Sequence, residues 1–198
     1  MYSLLTTLPS PDSLPGMTFR NTTRAWGTLS KSLHWIIVLL ILGQPLIAMY
    51  ADSLSGPAKI APLALHKSLG ITILALAIIR LVWRWLNPVP STGELAPWER
   101  VLARLSHVAL YALLFAMPLT GWMMSSARNF PVSWFNLVQL PDLVRPARET
   151  YELMHDLHGA LFVALISVAL LHVAGALKHH LVDRNDVLKR MLPFGGVK

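Results

Sequence analysis

Four long apolar blocks alternate with short polar stretches along the chain, at about residues 31–51, 63–86, 101–125 and 154–181. Each reaches the roughly 20 residues that carry a helix across a hydrocarbon core about 30 Å thick. In lipid a spanning segment must satisfy its own backbone, so blocks of this length read as helices. The pattern predicts an all-α membrane protein, a bundle of four transmembrane helices. Pro45 and Pro118 fall inside the first and third blocks, where each removes a backbone donor, and kinks are expected there. The intervening stretches, about 52–62, 87–100 and 126–153, read as connectors; the last holds Pro131, Pro141 and Pro146.

Before the first block the chain is rich in Pro, Ser and Thr and has no long apolar run, so neither a signal peptide nor a helix is expected. The expected division is a disordered tail over 1–23, a membrane domain over 24–191 and a short C-terminal tail over 192–198. A second methionine, Met17, leaves the start of translation open between Met1 and Met17.

Composition agrees with lipid as the solvent. Only 14% of the 198 residues are charged, against about 25% in an ordinary soluble domain. Cysteine is absent, which excludes disulfides, iron–sulfur clusters, thioether-attached haem and thiolate zinc sites. The net charge of +7 does not point to nucleic acid, because the basic residues flank the apolar blocks instead of forming a polar face.

Those cations set an orientation. With the N-terminus inside, Arg20, Arg24, Lys31, Arg80, Arg84, Arg100, Arg104, Lys178, Arg184, Lys189, Arg190 and Lys198 are cytoplasmic, while Lys59, Lys67, Arg128, Arg145 and Arg148 lie opposite. By the positive-inside rule both termini are expected in the cytoplasm. Trp35, Trp83, Trp85, Trp122 and Trp134 lie near block ends, as interfacial anchors do.

The chemistry rests on histidines, at 34, 66, 107, 155, 158, 172, 179 and 180. An imidazole in lipid needs a partner for its ring nitrogens. His158 and His172 are 14 residues apart, close to four full turns, so they share one helix face about 21 Å apart along the axis. His155 is about 100° off that face. His179 keeps the face but sits at the charged helix end, where a solvated or interfacial role is expected. By depth, His66 meets His158, and His34 meets His172; His107 also lies toward the cytoplasmic end, and depth favours His34 without excluding it.

Two imidazoles at each of two depths suit iron in haem better than zinc, which takes three or four protein ligands. Two axial imidazoles fill both open haem positions and suit electron transfer. Arg80 and Arg84, four residues apart, are candidate propionate contacts, with snorkelling to headgroups the competing role.

The segments LSKSLHW at 29–35, LHKSLGITILALAIIRLVWRWLNPVP at 65–90, LARLSHVALYALLFAMPLTGW at 102–122, LHGALFVALISVALLHVAGALKHH at 157–180 and DRNDVLKRM at 183–191 together resemble the bacterial cytochrome b561 family, which is related to the cytochrome b subunit of nickel–iron hydrogenases. The resemblance runs from about Arg24 to Met191. It implies two low-spin haems b, axial ligands at His34, His66, His158 and His172, a bacterial inner-membrane location and electron exchange with ubiquinone. One branch of the family oxidises superoxide at the periplasmic face. The five outer cations here are matched by Asp52, Asp142, Glu149, Glu152 and Asp156, so a broad positive outer field is not expected, although Lys67 stands next to His66. Two functions compete on this reading. One is a stand-alone quinone-linked oxidoreductase taking electrons on the periplasmic side, superoxide being the donor to test first. The other is a membrane anchor and electron conduit for a separate dehydrogenase or hydrogenase subunit.

Overall fold

The structure, a computed structural model, describes residues 18–91 and 95–193. Most of the expected N-terminal tail, Met17 included, and all but the first two residues of the expected C-terminal tail lie outside the described residues.

Four helices account for the apolar blocks: α1 (Thr28–Ser53), α2 (Ile60–Leu86), α3 (Pro97–Ala127) and α4 (Arg148–Leu181). All four are long and apolar enough to cross a membrane. A short 3-10 helix, Gly56–Lys59, leads into α2, and a two-stranded antiparallel hairpin, β1 (Ser133–Trp134) and β2 (Val138–Gln139), interrupts the α3–α4 connector. Pro45 and Pro118 lie inside helices that continue on either side of them.

The N-terminal ends of α3 and α4 lie beyond the apolar blocks because polar turns extend them. Pro97 occupies the first turn of α3, where its missing N–H costs nothing, and Glu99 Oε2 accepts the Ala96 N–H at 3.0 Å. Asn129, in the left-handed region at φ 54°, ends the helix by donating its N–H to Ser126 O at 2.9 Å. α4 gains its early turns from 148–153, which carry Arg148 and Glu152 as an ion pair at 2.7 Å.

Backbone packing joins α1 to α2, α2 to α3 and α3 to α4, while α4 makes no comparable contact with α1 or α2 among the described residues. Ile37, Ile73, Ala77 and Leu114 are buried together, with Leu40, Ile41, Leu76 and Phe115 packed around them. This apolar plug comes from α1, α2 and α3 at mid-depth. Outward-facing side chains such as Leu39, Leu46 and Leu171 are left uncovered by protein, as expected where acyl chains are the solvent.

The end of the bundle that carries the termini is clasped by polar contacts. Asn21 is buried; its Oδ1 accepts the Gly27 N–H at 3.0 Å and the Ser30 hydroxyl at 2.6 Å, and its Nδ2 donates to Pro88 O at 3.0 Å. Ser91 N donates to Thr23 O at 3.0 Å. The packed segment therefore reaches back across the boundary expected at residue 24. A Cβ at Gly27 would stand 2.5 Å from the Arg20 backbone, so only glycine lets the two strands cross. On the other side of the same end, Lys178 is paired with Glu99 and lies 2.9 Å from Asp183. Hydrogen bonds from Lys178 and His179 hold the Asp183 carboxyl below the usual carboxylate range.

Candidate functional site: two stacked histidine pairs

The antiparallel order of helices brings histidines from different helices to the same depth. His66, two turns into α2, faces His158 on α4, with ring centres 6.4 Å apart. Toward the termini end, His34 on α1 faces His172 on α4 at 6.5 Å. The paired rings are inclined at 73° and 71°. Metal–imidazole bonds of about 2 Å, with each ring centre roughly 1 Å behind its ligating nitrogen, put two coaxial rings about 6 Å apart with a metal between them. Both pairs have this spacing.

His172 also faces His107 on α3, at the shorter centre-to-centre distance of 5.3 Å. His107 has a local partner, a hydrogen bond to the Ala103 backbone one turn back, as a satisfied histidine on a helix face would. His34 stacks edge-on against Trp35, whose Nε1 donates to Met191 O at 2.9 Å. Trp35 thus fixes the ring beside it from the C-terminal segment.

The groups that hold a facing ring are most explicit at His158. Thr120 Oγ1 lies 3.0 Å from Ala116 O, 2.9 Å from Met117 O and 3.1 Å from His158 Nδ1. A hydroxyl has one proton; here it goes to a carbonyl, so Oγ1 accepts from the Nδ1–H. That tautomer leaves the Nε2 lone pair free to bind a metal. Gly121 follows, and a Cβ there would lie 3.2 Å from His158 Cε1, so the missing side chain makes room for the ring. Across the gap, His66 Nδ1 and Gln44 Oε1 are shielded and without hydrogen-bond partners, although Gln44 Nε2 donates to His66 O at 3.1 Å.

The two rings line a cavity of about 900 Å³ walled by residues of all four helices. His66, His158, Gly70, Gly121, Gly159 and Phe162 are among its walls. A flat apolar macrocycle needs such a slot, with imidazoles on both faces and small residues at its edges, and the residues present fit a haem. Zinc is a poorer match, since among the described residues neither pair has a third ligand from Cys, Asp or Glu. At the mouth, Lys67 Nζ lies 3.8 Å above the Phe130 ring and Arg128 lies 4.4 Å above that of Tyr151.

Toward the termini end, Arg80 donates to Ser30 O at 2.7 Å and is hydrogen-bonded to Tyr111, within electrostatic range of His34, His107 and His172. Arg84 stands 5.5 Å above the Trp26 ring. Both arginines have protein partners; Arg80 is within range of all three imidazoles and Arg84 of His107.

Other histidines take the remaining positions. His155 is exposed, 3.2 Å from Asp156, at the cavity mouth. His179 sits at the charged end of α4 as expected but is not solvated. It is buried and hydrogen-bonds Asp183 Oδ2 at 2.7 Å, because the chain turns back after α4 and folds the carboxylate four residues on against the ring. Reading from sequence also passed over Thr120, Gly121, Gln44 and Tyr111. The small pair Thr120–Gly121 inside an otherwise bulky apolar block was the available signal.

The profile of prokaryotic cytochrome b561 proteins matches residues 25–194. Cytochrome b561 homolog 2 of Escherichia coli (strain K12) is 34% identical over 180 residues, covering 89% of this chain and 95% of that protein. The probable superoxide oxidase CybB of Yersinia pestis is 27% identical over 175 residues, 86% of this chain and 97% of that protein. Cytochrome b561 homolog 1 of Escherichia coli (strain K12) is 28% identical over 170 residues, 81% of this chain and 93% of that protein. With four apolar helices, half-buried facing histidines and a match over nearly its whole length, this chain belongs to the prokaryotic cytochrome b561 family of membrane haem proteins.

Proposed function

We propose that the protein is a di-haem b cytochrome of the bacterial inner membrane, both termini cytoplasmic, that takes electrons from superoxide on the periplasmic side and delivers them to ubiquinone. The reading rests on one observation: two pairs of imidazoles, 6.4 and 6.5 Å between ring centres, at two depths of one bundle. His66 with His158 would hold one haem and His34 with His172 the other. Haem supplies reversible one-electron transfer, and two axial imidazoles leave no vacant position for dioxygen.

The chain's own groups would set up the reaction at the cavity mouth. Lys67 and Arg128 provide positive charge that attracts a small anion even where the wider surface is balanced. The Yersinia relative's name supports superoxide as that anion. Thr120 holds His158 in its ligating tautomer, and Arg80 places a fixed positive charge near the termini-end pair. Overall, two superoxide anions each lose one electron and leave as dioxygen, while one ubiquinone gains two electrons and two protons.

The test is purified protein with ubiquinone in a steady source of superoxide. Superoxide should disappear faster than by spontaneous dismutation, with one ubiquinol formed for every two superoxide consumed. No acceleration and no ubiquinol would overturn the donor and favour an electron conduit for a separate subunit. Thr120→Val, which keeps shape but removes the acceptor, is expected to loosen the haem at His158 about 10-fold. Haem loss to a scavenging apoprotein measures this, and an unchanged rate would separate Thr120 from the site.

A further inference from the structure

The α3–α4 connector does not simply cross the end of the bundle. After capping the cavity with Val132, which is buried, it folds along α2 as the β1–β2 hairpin. Ser68 Oγ donates to an acceptor set formed by Ala64 O, at 2.9 Å, and Ser133 O, at 3.1 Å, and accepts the Phe135 N–H at 3.0 Å. Trp134 Nε1 donates to Thr72 Oγ1 at 3.0 Å. The chain then returns over α3, where Trp122 Nε1 donates to Pro141 O at 3.0 Å and Leu143 N to Ser126 Oγ at 3.1 Å.

The tethers fix a depth. Ser68 and Thr72 lie two and six residues past His66, about 3 and 9 Å further into the membrane along α2. Lys67 is the last charged residue of α2 before Arg80. The hairpin thus lies level with helix that is already apolar, and its own backbone is largely satisfied, by the ladder, by Leu137 N to Trp134 O at 2.9 Å and by Ser68. Non-helical backbone at such depth survives only when its polar groups are paired in this way.

The tip exposes Phe135, Leu137 and Val138, with Leu137 75% exposed. Phe135 and Asn136 both occupy the left-handed region, at φ 48° and 58°. Asparagine tolerates that conformation, whereas a bulky aromatic is strained in it. A glycine would turn the chain without strain, so the ring itself is the reason for the residue. Like the uncovered outer faces of the helices, this tip is apolar and exposed, and the amide side chains of Asn136 and Gln139 flank its apolar residues as at a headgroup boundary.

We infer that the 133–139 hairpin is a membrane anchor of the α3–α4 connector, inserting Phe135, Leu137 and Val138 among the acyl chains at the headgroup boundary, held to α2 by Ser68 and Thr72. By pinning the connector, it keeps Phe130 and Val132 over the mouth of the cavity.

The absence of native cysteine makes the test direct. The full protein carrying Leu137→Cys, with a nitroxide spin label, is reconstituted into vesicles of phosphatidylethanolamine and phosphatidylglycerol. Collision with oxygen, which partitions into lipid, is compared with collision with a water-soluble nickel chelate. Leu171→Cys, on the uncovered face of α4, gives the lipid reference, and Asp142→Cys, exposed in the same connector, the aqueous one. The label at 137 should show an oxygen-to-nickel ratio several-fold above that at 142 and close to that at 171. A ratio equal to that at 142 would overturn the proposal. Val138→Cys supplies an independent reading from the same tip, and circular dichroism confirms that each labelled bundle is helical.

Discussion

His172→Ala is expected to halve the haem content, from two per chain to one, and to leave the spectrum of the haem between His66 and His158 in place. His172 is the shared partner of the termini-end site: His34 faces it at 6.5 Å and His107 at 5.3 Å. Without it, the site would lose the imidazole that faces both His34 and His107 and, with it, one of the residues that would hold the haem. The same site should be lost in His34→Ala and kept in His107→Ala, because His107 is too close to His172 for a metal to fit coaxially between them. His158→Ala is the mirror experiment at the other depth. The measurements are haem per chain after alkaline pyridine treatment and a reduced-minus-oxidised spectrum. Retention of both haems in His34→Ala with loss in His107→Ala would reassign the ligand to α3.

Gly121→Val is expected to remove the haem between His66 and His158 without touching the other. A single Cβ at position 121 already comes to 3.2 Å from His158 Cε1 and 3.6 Å from its Nδ1. The branched γ carbons of valine extend further, so the ring must swing away, and with it goes the Thr120 bond that sets the tautomer. Overpacking of this kind costs about 1–3 kcal/mol when a core can yield. Here what yields is the ligand itself, so the loss appears as missing haem and not as an unfolded bundle. Gly121→Ala should keep the haem, since the His158 ring need give only a few tenths of an ångström. Two haems per chain in Gly121→Val would mean that the close approach of α3 to His158 does not matter for binding.

Much of the architecture was legible in the sequence because the relevant physics is local. Four apolar blocks of spanning length define four helices, and the 14-residue spacing of His158 and His172 defines a face by helical period alone. Polar helix ends were less visible: α4 begins at Arg148, since residues 148–153 are helical outside the apolar block. What sequence could not show depends on contacts between distant segments. The hairpin at 133–139 has strands of two residues and stands on Ser68 and Thr72 of another helix. The burial of His179 requires the chain to double back so that Asp183 meets it. Thr120 and Gly121 gain their meaning only once α3 is known to lie against α4 at the depth of His158. Arg80 was visible as a cation near the span end, but its tie to the Ser30 carbonyl needed the crossing of α1 and α2.

The two imidazole-paired sites are tested most directly by the haem stoichiometry of the purified protein together with its response to carbon monoxide. Two haems b per chain, both low-spin and neither shifted by carbon monoxide after reduction, is the predicted result. A single haem, or one that takes up carbon monoxide and so has a vacant axial position, would contradict it.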